Sequence, residues 1–226
     1  MNTKAPKILN DIVEALKKSN LKAVSENNEG RVNSKKDEDK IIAWLQKQPQ
    51  FKDRIKEGVL RNFMDIEVID DDGTAHAVNI KTSIGSSDNA FSKLGILWAL
   101  TDLTAKQYTE FKIANKISDA KFAELVIKHK KETDRDYWFL SLDKKDFGHV
   151  MVRGVKQITH WGKNPTNNLQ IMWGKEHGCE PGTQSFEDVF YNVITDGAFK
   201  CWADKAAQWN KAITYRTANL KKVNIK

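Results

Sequence analysis

The sequence has only two cysteines, Cys179 and Cys201, in 226 residues. That is too few for a disulfide framework or a cysteine-built metal module. No stretch approaches the roughly 18 consecutive apolar residues of a membrane helix. The opening MNTKAPKILNDIVEALKK has neither the apolar region nor the small-residue cleavage site of a secretory signal. There is no glycine-rich phosphate loop and no Ser/His/Asp or Cys/His arrangement for nucleophilic catalysis. His76 and His160 do not stand at a metal-ligand spacing. Internal repeats and low-complexity linkers are also missing. These absences predict a soluble cytoplasmic protein forming one domain over 1–226, with no membrane partner.

Apolar residues make up 40% of the chain and aromatics 9%, enough for a packed core. The net charge of +7 is unevenly spread. Residues 1–50 carry +3 and residues 201–226 carry +5, whereas residues 51–100 carry −2. Basic flanks around an acidic centre suit a polyanion lying over a cation-binding site. An ordinary basic protein with solvated lysines fits the same total.

Ile8, Ile12 and Leu16 recur at four-residue spacing and predict a helix over 7–18. A second helix is expected from Ser34 to Gln48, stopping before Pro49, with Ile41, Ile42 and Leu45 as its apolar stripe. Glu38 falls on that stripe. Residues 62–70 (NFMDIEVID) alternate as a strand, Asp70–Gly73 signals a turn, and 75–82 (AHAVNIKT) is the return strand. Alternation puts Val78 and Ile80 on one face and Asn79 and Lys81 on the other. A helix is expected over 88–100, capped by Ser87 or Asp88. YWFLSL, 137–142, reads as a strand buried on both faces. Further strands are expected at 148–155 and 168–173. From Phe186 onward a helical segment, to about 222, should bury Trp202, Ala206, Trp209 and Ile213 and serve packing, dimerisation or DNA contact. Trp44, Trp98 and Trp138 also fit the core, and Trp161 stands apart in a polar loop. The order predicts an α/β (α+β) class, a mixed central sheet flanked by helices.

One constellation suits phosphodiester hydrolysis, which needs a held divalent cation, an activated water and stabilisation of charge on the phosphate. Asp65 on one strand, with Asn79 and Lys81 on its partner, can supply this. Mg²⁺ prefers oxygen ligands. Asp65, the Asn79 amide, the Ile80 carbonyl and Glu38 offer them, and Lys81 can orient the water. Each also has an ordinary reading. Asp65 can be a solvated strand carboxylate, its face-mate Glu67 the real ligand or a solvated neighbour, Lys81 a strand-end lysine, and Asn79 a hydrogen-bond partner of a nearby loop. Glu38 can belong to an acidic first helical turn.

The surrounding blocks add weight. GRVNSKKDEDKI (30–41), the Asp65 strand, VNIKTSIGSSDNAFSKLGILWALT (78–101) and NPTNNLQIMW (164–173) together resemble type II restriction endonucleases of the PD-(D/E)xK nuclease superfamily. The resemblance implies an αβββαβ restriction-endonuclease-like core within about 30–175. It also implies Mg²⁺-dependent, sequence-specific hydrolysis of double-stranded DNA leaving 5'-phosphates, with Mn²⁺ able to substitute. Asp65 would match the first acidic position, Asn79 the second, Lys81 the lysine and Glu38 the acid of the first core helix. Two departures stand out: Met64 replaces the usual proline, and Asn79 replaces an Asp or Glu. The chain would then act in host defence in a prokaryote or phage, as a homodimer on a palindromic or near-palindromic site. A DNA methyltransferase would be its genetic, not physical, partner. The alternatives are a DNA-binding protein with weakened or lost catalysis, and a repair or junction nuclease of the same superfamily.

Candidate DNA contacts follow from polar segments beside these blocks. Arg31, Asn33, Ser34 and Lys35 precede Glu38. Ser83, Ser86, Asn89 and Lys93 follow the NIK strand, and helical spacing would put Asn89 and Lys93 on one face. His160, Lys163, Asn167 and Asn168 lie in THWGKNPTNN, a loop able to read base edges or simply to turn at Pro165.

Overall fold

The computed structural model describes residues 4–24, 30–58, 64–83, 89–90, 93–104, 106–107, 119–164, 168–182 and 184–192, with scattered positions between 203 and 214. A five-stranded mixed sheet forms the centre. Its strands are β1 (Ile55–Glu57), β2 (Ile66–Ile69), β3 (Ala75–Ser83), β5 (Tyr137–Asp143) and β6 (Val150–Gly154), in that spatial order. All neighbours are antiparallel except β3 and β5, which run parallel. A parallel pair needs a crossover. It is made by the segment carrying α3 (Lys93–Leu100) and α4 (Asp119–His129). A second sheet, ordered β4 (Asn89–Ala90), β8 (Asn168–Ile171), β7 (Trp161–Asn164), is antiparallel.

Helices cover both faces of the main sheet. On one side α1 (Lys7–Lys17) and α2 (Gly30–Gln46) bury Ile8, Ile12, Leu16, Ile41 and Leu45 against Val78, Ile80, Leu140 and Val152. On the other, Leu97 and Leu100 of α3 and Phe122 and Val126 of α4 pack on Ala77, Tyr137 and Phe139. Each fully buried Leu, Ile or Phe contributes about 1.5–3 kcal/mol. β5 sits between β3 and β6, and helices cover both its faces: Tyr137 and Phe139 join the α3 side, and Trp138, Leu140 and Leu142 the α1 side.

The α/β class and the mixed sheet agree with expectation. α1, the return strand β3 and the buried strand β5 fall where the patterns put them. Several boundaries differ. α2 begins four residues earlier, at Gly30, and the first hairpin strand is shorter, Ile66–Ile69. The turn at Asp70–Gly73 is present, with Gly73 at φ 84, a left-handed conformation that favours glycine. The helix expected over 88–100 begins only at Lys93. Asn89 and Ala90 form β4 instead, paired with Ile171 and Gln170. The ladder with β8 takes their backbone groups, so Asn89 and Lys93 do not share a helix face. After β8, the chain turns into a helical turn at Trp173–Glu176 rather than extending to 173. β1 and α4 are not among the expected elements, although Phe122, Leu125 and Val126 of α4 stand at the i, i+3, i+4 spacing of a buried helix stripe. Ala206 and Ile213, expected on a buried stripe, are exposed; among the described residues neither core cluster contains one beyond Phe190. Trp202 and Trp209 lie outside the described residues. Trp161 packs partly against the core rather than standing in a solvated loop. Among the described residues no helix is long and apolar enough to cross a membrane.

Candidate active site

Asp65 lies one residue before β2. Its backbone N–H donates to the Val78 carbonyl at 3.0 Å, so the hairpin continues through it. Its carboxylate Oδ2 accepts the Ile80 backbone N–H at 2.7 Å. The β3–β5 register sets Asn79 beside Phe139 and Lys81 beside Ser141. Val78 and Ile80 are buried on the α2 side, as the alternation requires, leaving Asn79 and Lys81 on the face of Tyr137.

The Asn79 side-chain amide meets the Tyr137 hydroxyl and acts to lower its pKa against burial. Among the described residues its buried Oδ1 has no hydrogen-bond partner. Tyr137 is completely buried, and α3 passes so close that a Cβ on Gly95 would stand 2.6 Å from the Tyr137 ring. Gly95 therefore lets the ring lie against the helix. Sequence reasoning placed Tyr137 only in an apolar run. A signal was there: a buried tyrosine hydroxyl needs a partner.

Glu38 meets the same charges from α2. Burial first, then the nearby Asp65 carboxylate, push its pKa up to about 7, against the pull of Lys81 and Lys35. Burial also raises Asp65, while Lys81, the Ile80 N–H and Lys35 act to lower it. Asp65 likewise helps hold the Tyr137 hydroxyl protonated, after burial. Glu38, Asp65, Asn79 and Lys81 are thus within electrostatic or hydrogen-bonding reach of one cluster, joined by Tyr137. Two desolvated carboxylates that repel each other, beside a buried acceptor with nothing to accept, form a donor set that a hard divalent cation fits. Glu67 belongs elsewhere: it faces Lys56 at 3.5 Å.

α2 is held in register by an ion pair. Asp37 is fully buried, and its Oδ1 accepts the Val24 N–H at 2.7 Å. Lys144, just after β5, lies 3.3 Å from Asp37 Oδ2 and donates to Ser34 Oγ at 3.0 Å. This fixes the helix turn that carries Glu38.

The expected DNA contacts are placed variously. Ser34 accepts from Lys144, Asn33 is buried, and Lys35 pairs with Asp39 at 2.8 Å. His160 Nδ1 stands 3.0 Å from Glu176. Arg31, Ser83, Asn89, Lys93, Lys163 and Asn168 lie in described elements, but their side chains are outside what the structure describes, and Ser86 and Asn167 lie outside the described residues. A cavity of about 520 Å³, lined by Asp70, His76, Asp136 and Lys156, sits at the N-terminal ends of β3 and β5 and is lined by none of Glu38, Asp65, Asn79 or Lys81.

No protein-family model matches the chain, no curated protein matches it, and no solved structure matches it.

Proposed function

We propose that the chain is a Mg²⁺-dependent, sequence-specific DNA endonuclease of the type II restriction kind. It cleaves double-stranded DNA as a homodimer on a short palindromic or near-palindromic site. The observation that carries this reading is the Glu38–Asp65 carboxylate pair beside Lys81, with the unpartnered Asn79 Oδ1 among them. With β4 and α4 as additions, the element order α2, β1, β2, β3, α3, β5 is compatible with the αβββαβ order that the resemblance implies. Basic termini around an acidic middle suit a phosphate backbone.

Asp65, Glu38 and the Asn79 amide oxygen would hold the cation, which when bound supplies an activated water and offsets charge on the phosphate. The Ile80 N–H fixes the rotamer of Asp65. Tyr137 lies against the Asn79 amide, whose Oδ1 has no hydrogen-bond partner among the described residues and is free for a cation. Lys81 orients the attacking water and stabilises the developing charge.

The test is incubation with plasmid and phage DNA, with Mg²⁺ and with EDTA, followed by sequencing of the ends. Discrete fragments with Mg²⁺, absent with EDTA and absent in Asp65→Ala, support the reading. Equal cutting by Asp65→Ala and Lys81→Ala would sink it. A second reading is a DNA-binding protein without cleavage. It is favoured by the neutral Asn79, which leaves the site short of one carboxylate. Specific retention of a DNA duplex with no cutting in Mg²⁺ or Mn²⁺ would select it.

A further inference from the structure

His160, Glu176 and Cys179 come together away from the carboxylate cluster, at the base of the β7–β8 hairpin. His160 leads into β7, and Glu176 and Cys179 follow β8. The backbone closes the base: the Met172 N–H donates to the His160 carbonyl at 3.1 Å. Nδ1 of His160 lies 3.0 Å from Glu176 Oε1 and 3.8 Å from Cys179 Sγ, and the three ligand atoms lie within 4.8 Å of one another. In a tetrahedral zinc site, Zn–N and Zn–S bonds of about 2.0 and 2.3 Å put neighbouring ligand atoms about 3.3–3.6 Å apart. The observed separations bracket that edge.

The carboxylate provides a second, independent sign. Glu176 is fully buried, and its two oxygens are used unequally. Oε1 accepts from the backbone N–H groups of Thr159 and His160 and from the Thr159 hydroxyl. Among the described residues Oε2 has no hydrogen-bond partner, only an ion pair with Arg153 Nε at 3.9 Å, and that nitrogen lacks one too. A buried carboxylate oxygen without a donor is costly. Oε1 is the oxygen that lies against His160, and a cation bound there would share the charge of a carboxylate whose other oxygen has only the Arg153 ion pair.

We propose that His160, Glu176 and Cys179 form a zinc site that clasps the β7–β8 hairpin. The chemistry fits a borderline-soft ion rather than Mg²⁺, because it offers sulfur and nitrogen. Neutral imidazole, thiolate and carboxylate bring two negative charges to the dication, so the filled site does not repel Arg153. Cys179 and His160 are partly exposed, which leaves an entry path and a fourth position for water. The hairpin carries the THWGKNPTNN segment, and the ion would tie its two ends together. The inference does not depend on the nuclease reading.

The test uses the full chain with Cys201→Ser, so that Cys179 is its sole thiol, titrated with Co²⁺ near neutral pH. Binding of one equivalent should give a thiolate-to-cobalt charge-transfer band and intense visible bands, both removed by Zn²⁺. Cys179→Ser should abolish the charge-transfer band. His160→Ala should weaken Co²⁺ binding by at least about tenfold. Asp65→Ala should leave the band intact. Circular dichroism in EDTA shows which variants fold, and the partly exposed His160 provides a test if Cys179→Ser does not. Absence of the band, its survival in Cys179→Ser, its loss in a folded Asp65→Ala, or unchanged affinity in His160→Ala would overturn the proposal.

Discussion

The carboxylate of Asp65 accepts the backbone N–H of Ile80 at 2.7 Å, midway between Asn79 and Lys81. One hydrogen bond thereby fixes the acid of one strand against the polar face of its partner. Asp65→Asn keeps an acceptor for Ile80 and removes only the charge. Cleavage in Mg²⁺ should fall at least about a hundredfold, while duplex binding in EDTA is retained. Gel-shift and plasmid-cleavage assays on the same preparation separate the two.

Glu38 gives a pH prediction for the metal-free protein. Its folded pKa is raised from 4.5 to about 7, so the folded state favours the protonated form. The stability this contributes is fully present below about pH 4.5 and is lost as pH rises through about 7. Glu38→Gln removes the titration. In EDTA the variant should match the parent near pH 4 and exceed it by about 1–3 kcal/mol at pH 8. Urea melts at the two pH values check the sign; an equal difference at both would contradict it.

Asn79→Asp adds a carboxylate beside Asp65 and Glu38. Without metal the three should repel, lowering the melting temperature at pH 8 and moving the Glu38 pKa above about 7. With Mg²⁺ the same charge should raise affinity roughly tenfold, as a third oxygen anion joins the donors. Calorimetric titration reads the affinity. No change in either quantity would make Asn79 a bystander.

Half-buried Lys144 pairs with the fully buried Asp37. Lys144→Met leaves Asp37 charged and without its cation, which costs about 3 kcal/mol. The melting temperature should drop, and because the pair anchors α2 beside Glu38, Mg²⁺ affinity should drop with it. A stability loss with unchanged Mg²⁺ affinity would separate the anchor from the site.

Gly95→Ala puts a methyl group where the Tyr137 ring lies, 2.6 Å from it. The ring must shift, weakening its hydrogen bond with Asn79. Stability should fall by about 1–3 kcal/mol. Tyr137→Phe keeps the packing and removes only the hydroxyl, so it should reproduce any loss of Mg²⁺ affinity with a smaller stability change.

Local pattern alone determined a good part of this protein. The four-residue spacing of Ile8, Ile12 and Leu16 made α1, and the apolar run at 137–142 made the central strand. Alternation through Val78-Asn79-Ile80-Lys81 sent Asn79 and Lys81 to the face opposite the buried valine and isoleucine. These outcomes depend on neighbours within one or two turns, so they are written in the order of residues.

Tertiary structure decided the rest. Asn89 and Ala90 follow a strand into what reads as a helix start, yet they pair with β8, some eighty residues later. The partner of Asn79 is the hydroxyl of Tyr137, brought alongside by the parallel register of β3 and β5. Asp37 meets Lys144, and His160 meets Glu176 and Cys179, only because a crossover and a hairpin close. Such pairings depend on strand register and on which helix covers which face. No local periodicity encodes those choices, because the whole core has to pack before any of these side chains meet.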